Sequence, residues 1–98
     1  MANKHIAFSV AALLLVDSAA IAATCKVQNA GPPDQWRFVH VYDVDRGKIV
    51  LRQAIKSGDS KEVTVSGDRV RVDHRLAGST QYATGPIAQC NEGATIKF

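Results

Sequence analysis

Apolar and polar residues alternate at a period of two along much of the chain, in short runs separated by turn-forming clusters, as half-buried β-strands do. Residues 24–28 set Cys25 and Val27 against Lys26 and Gln28, before Asn29-Ala30-Gly31-Pro32-Pro33-Asp34 ends the pattern. Residues 36–42 (WRFVHVY) concentrate the aromatic and β-branched side chains that favour a pleated sheet. The DVDRG segment at 43–47 leads into a second apolar strand at 48–55, so the pair predicts a hairpin with Gly47 in the left-handed backbone region. Ser57-Gly58-Asp59-Ser60 and Ser66-Gly67-Asp68 bracket a strand at 61–65 whose Val63 and Val65 share a face. Alternation is cleanest at 69–76, where Val70, Val72, His74 and Leu76 interleave with Arg69, Arg71, Asp73 and Arg75. That pattern predicts one dry and one wet face. Tyr82 then opens a short strand that Gly85-Pro86 breaks before residues 87–90. Asn91-Glu92-Gly93 predicts a last hairpin turn, and residues 95–98 place Ile96 and Phe98 on one face.

Seven short strands with turn signals between them predict an all-β fold, a small antiparallel β-sandwich with a small barrel as the alternative. The order Cys25, Trp36 and Cys90 resembles that of immunoglobulin domains and implies a similar two-sheet architecture. Ala88 stands where that family carries a tyrosine two residues before its second cysteine, and no strand precedes Cys25, so the resemblance is one of architecture only.

Residues 1–23 are organised differently. A polar start with Lys4 and His5 leads to an apolar run at 6–16, closed by Asp17 and followed by small residues that include Ala20-Ile21-Ala22. These features predict a secretory signal peptide cut before Ala23 or nearby, leaving one domain at 24–98 in a periplasm or outside the cell. The apolar run is far shorter than the ~20 residues of a membrane helix, so no membrane span is expected. Thr24, rather than Gly or Ala, directly before Cys25 argues against a lipid-anchored cysteine.

A chain this short buries only about 60% of its unfolded surface and needs a further source of stability. Export to an oxidising compartment supplies one, because Cys25 and Cys90 then have a single intramolecular pairing. Neither cysteine lies in a C-x-x-C pair, which makes redox catalysis a poor fit.

Without residues 1–23 the chain carries 11 Lys and Arg against 8 Asp and Glu, for a net charge of +3. This mild excess favours acidic partners and is too small to suggest nucleic-acid binding. No cofactor or metal is predicted. His40 and His74 flanked by Asp43 and Asp73 lack any short ligand spacing, and Asp43-Val44-Asp45-Arg46-Gly47 lacks the closing glutamate of a calcium loop. Both histidines fall in step with apolar or aromatic neighbours, and Ser79 has no nucleophile-elbow sequence, so a hydrolase is the least favoured class.

The remaining candidates are surfaces. Arg69, Arg71 and Arg75 project from one strand face with Asp73 among them, and Arg37 and Arg52 on neighbouring strands would add to a face for an anionic envelope component or another exported protein. A solvated face whose acids offset its cations is the plainer alternative. Trp36, Tyr42 and Tyr82 are candidate interface anchors, with at least one expected in so small a core and Trp36 expected near the rim. The loop at 77–82 resembles the Ser-Gly-x-x-Tyr loop of small secreted lysozyme inhibitors, but its Gly78-to-Tyr82 spacing is one residue longer and no serine precedes Gly78. The expected function is a non-enzymatic binding module, with Arg69, Arg71, Arg75, Trp36 and Tyr82 as its contact residues. The alternative is an enzyme inhibitor acting through the loop at 77–82.

Overall fold

The computed structural model describes residues 22–98, which form seven strands in two sheets with no helix among them. The signal segment predicted at residues 1–23 lies outside the described residues except for its last two positions. The strands are β1 (Ala23–Gln28), β2 (Trp36–Asp43), β3 (Lys48–Lys56), β4 (Ser60–Val65), β5 (Arg69–Leu76), β6 (Ala83–Gln89) and β7 (Thr95–Lys97). One sheet has the order β4-β1-β7 and the other β3-β2-β5-β6. All pairings are antiparallel except β1 with β7, which is parallel and departs from the purely antiparallel expectation.

The alternation read from the sequence selects the inner faces. Cys25 and Val27 of β1, Val63 and Val65 of β4, Val39 and Val41 of β2, Ile55 of β3, and Val70 and Val72 of β5 join Cys90 in one buried cluster shared by the two sheets. Cys25 and Cys90 are disulfide-bonded, with Cα atoms 5.3 Å apart, so the bridge ties β1 of one sheet to the end of β6 in the other. β-branched side chains dominate this core because the stiff valine side chain packs well on a pleated surface. None of the three candidate aromatics is in it. Trp36 is 48% exposed, and Tyr42 and Tyr82 are half-buried away from the cluster; the core aromatic expected from them is instead Phe98, packed at its edge.

Two local features correct the sequence pattern. β6 runs unbroken through Gly85-Pro86, because two residues of β6 oppose Val72 alone where the register with β5 shifts between Arg71 and Asp73. Gly85 is required there, since a Cβ would meet the Val72 carbonyl oxygen, and Pro86 is tolerated because β6 is an edge strand. The turn at Asn91-Glu92-Gly93 forms, with the Ala94 amide donating to the Asn91 carbonyl at 2.9 Å, but it passes the chain from one sheet to the other and closes no hairpin. The DVDRG turn does close the β2–β3 hairpin, with Gly47 at φ 64°.

Candidate functional site

The two outer faces differ in composition. On the three-stranded sheet the outward positions are Thr24, Lys26 and Gln28, paired with Thr64, Glu62 and Ser60 of β4, and Thr95 and Lys97 of β7, a surface built for water. On the four-stranded sheet, β2 turns Val39 and Val41 inward and so must turn Trp36, Phe38, His40 and Tyr42 outward. The register then sets Phe38 opposite Arg75, His40 opposite Asp73 and Tyr42 opposite Arg71. Arg52 of β3 lies beyond His40, and Ile87 of β6, 56% exposed, lies beyond Arg71.

Two of these cross-strand pairs stack. The Arg71 guanidinium lies 4.3 Å from the Tyr42 ring centre, and Arg75 lies 4.3 Å from that of Phe38 and 5.4 Å from that of Tyr82. Tyr82 reaches the face from the segment before β6, stacks on His40 with ring centres 4.4 Å apart, and places its hydroxyl 3.3 Å from His40 Nε2. Of the predicted contact residues, Trp36, Arg71, Arg75 and Tyr82 therefore converge on one face. Phe38 and His40 belong to it as well. Their signal was the period-two phase of WRFVHVY, in which the two valines claim the core side.

The arginines are not equivalent. Arg69 donates Nε and Nη2 to Asp45 Oδ1 at 3.1 and 2.6 Å, at the end of the sheet next to the β2–β3 turn. Arg71 donates Nε and Nη2 to the two oxygens of Asp73 at 2.9 and 3.0 Å. Both hydrogen-bonded pairs push the guanidinium pKa above its ordinary value. Acids thus offset these two cations, as the plainer alternative expects. Arg75 instead donates Nη1 to the neutral Ser79 carbonyl at 2.7 Å. Asp73 is 7% exposed, so the wet face predicted for β5 is in fact covered at its middle.

Arg37 does not join this face. It is in phase with Val39 and Val41 on the inner side, where it donates Nε to Gln35 Oε1 at 3.1 Å. His74 and Leu76 are also on the inner side, yet Leu76 is 44% exposed because that side opens into a depression of about 440 Å³ near the loop at 77–82. The dry face of β5 is thus dry only at Val70 and Val72. His40 and His74 project from opposite faces of the sheet, so they cannot converge on one metal ion. Ser79 Oγ accepts from the Gln81 amide at 3.3 Å and has no histidine partner among the described residues.

No protein-family model matches the chain, and neither a characterised protein nor a solved structure matches it.

Proposed function

We propose that this chain is an exported, non-enzymatic β-sandwich module that binds an anionic macromolecule on the outer face of its four-stranded sheet. The observation that carries this is the asymmetry between the two outer faces: one bears Thr, Ser, Gln, Lys and Glu with no aromatic residue and no arginine among its paired positions, the other Trp36, Phe38, His40, Tyr42 and Tyr82 interleaved with Arg71 and Arg75. Aromatic residues and arginine are the types that anchor interfaces. Arg75, stacked on Phe38 with Nη1 given to the Ser79 carbonyl, keeps its remaining donors for oxyanions, whereas Arg71 is engaged by Asp73. The disulfide agrees with export, and no helix among the described residues is long and apolar enough to cross a membrane.

The inhibitor alternative needs a projecting side chain on the loop at 77–82, whereas Tyr82 lies back against His40 and Arg75. A hydrolase needs a nucleophile beside a base, and His40 Nε2 is occupied by Tyr82.

Retention on immobilised heparin and on lipopolysaccharide tests the proposal. Arg75→Glu is expected to abolish retention, while Lys26→Glu, the same charge change on the other sheet, leaves it intact. Equal loss in both variants would reduce the binding to net charge and defeat the proposal. Arg71→Glu is a poorer probe, because it would face the buried Asp73 with a second carboxylate.

A further inference from the structure

We propose that the depression lined by Gln35, Arg37, His74, Arg75, Ser79 and Gln81 is a subsite for a tetrahedral oxyanion, the phosphate or sulfate group of the anionic partner. This inference rests on the anion-binding reading above and names the group that is recognised.

Charge is the first ground. Among the described residues no aspartate or glutamate lines the depression, whereas the depression beside Ala22 and Ala23 is lined by Asp68 and Glu92, and one near β3 includes Asp43; the hollows at Lys48 and Arg52 and at Lys97 also lack acids, and what sets this one apart is the hydrogen-bonded fork of Arg37. Among the four arginines of β2 and β5, Arg69 and Arg71 are each held by a carboxylate, whereas among the described residues Arg37 and Arg75 hydrogen-bond only to the neutral oxygens of Gln35 and Ser79; Arg37 lines the depression from the inner side, and Arg75, its guanidinium stacked on Phe38 at the outer face, borders it. A guanidinium has five donors in a fixed fork, and among the described residues only one donor of Arg37 is taken. At about 440 Å³ the depression is larger than a lone anion, as suits the charged end of a bigger ligand.

Construction is the second ground. Asn29 is fully buried and donates Nδ2 to the Gln35 and Ile55 carbonyls at 3.1 and 2.8 Å, while its Oδ1 accepts from the Gly31 amide at 2.8 Å. Ser57 Oγ holds the Gly31 carbonyl at 2.6 Å. This fixes the loop that presents Gln35, whose Oε1 orients the Arg37 fork. Gly31 leaves room for that fork, since a Cβ there would lie 2.9 Å from Arg37 Nη2. His74 is faced by Arg37 from β2, by the Phe98 ring at 5.5 Å, and by Asp73 through its charge. Burial and the Arg37 charge hold its pKa below the ordinary histidine value, so a bound anion would raise it.

The test is an NMR titration of the purified protein with inorganic phosphate, followed at the His74 ring protons. A saturable response in the millimolar range is expected, with the His74 pKa rising on saturation; Arg37→Gln abolishes both. Gln35→Ala, which removes only the acceptor that orients Arg37, weakens the response and serves if Arg37→Gln does not fold. Parallel titrations with sulfate and with phosphatidate-containing vesicles separate a free oxyanion from a lipid headgroup. A response that rises linearly without saturating, or that persists unchanged in Arg37→Gln, overturns the subsite. Arg37 is absent from the outer face, so Arg37→Gln should weaken heparin retention by the loss of one oxyanion contact without abolishing it. Retention without a saturable phosphate response would refute the subsite alone, and a phosphate response without retention would refute the outer face.

Discussion

Arg75 lies 4.3 Å above the ring of Phe38, its direct cross-strand partner, and is held in place by a 2.7 Å bond from Nη1 to the Ser79 carbonyl. The cation is thereby presented at the surface with no carboxylate to neutralise it. Phe38→Leu should keep the fold, removing a cation–π contact of about 0.5–1 kcal/mol, and should weaken heparin retention without changing net charge. Urea unfolding and salt elution of the same variant check both parts.

The disulfide closes a loop with a sequence separation of 65, for which chain entropy predicts a contribution of about 4 kcal/mol. Cys25→Ser with Cys90→Ser should lower the unfolding free energy by roughly that amount, leaving the chain marginal. Intact mass of the wild-type protein should lack the two thiol hydrogens.

Asn29 satisfies two carbonyls and one amide at the end of β1. Asn29→Ala strips the buried Ile55 carbonyl of its donor, with an expected cost of about 2 kcal/mol in urea unfolding. Anion affinity should fall with it, because the loop carrying Gln35 loses its anchor.

His74 is held below the ordinary histidine pKa by burial and then by Arg37, against an opposing pull from Asp73. The unfolded chain therefore takes up this proton more readily than the folded protein. Stability from this site is full above the ordinary value of about 6.5 and is lost as pH falls through it toward the lower folded value. The melting temperature should drop between about pH 7.5 and pH 5, and His74→Gln should flatten that part of the profile.

Most of the fold was legible because period-two alternation and turn residues are local signals: β1 to β5 and β7 lie within a residue or two of where the pattern predicts them, β6 runs through the Gly85-Pro86 break, and the Cys25–Cys90 pairing follows from cysteine count. Pairing partners were not legible. Nothing local says that β7 lies parallel to β1, or that the Asn91-Glu92-Gly93 turn crosses between sheets. The site was half legible for a related reason. Arg71 and Arg75 follow from the β5 pattern alone, but their stacking on Tyr42 and Phe38 depends on the β2–β5 register, and the phase of Arg37 against Val39 puts it on the other side of the sheet. The pattern predicts at least one of Trp36, Tyr42 and Tyr82 in the core; ten valine, isoleucine and cysteine side chains fill it without them, which leaves all three to the surface.

The central claim is that the aromatic and arginine face receives the anionic partner. The most direct measurement is an amide NMR footprint of a heparin oligosaccharide, read together with the emission of Trp36, the only tryptophan in the chain. The account predicts shifts at Phe38, His40, Tyr42, Arg71, Arg75 and Tyr82 and in the depression at Gln35, Arg37 and His74, with a change in Trp36 emission. A footprint centred on Thr24, Lys26 and Lys97, or spread evenly over every lysine and arginine, would contradict it.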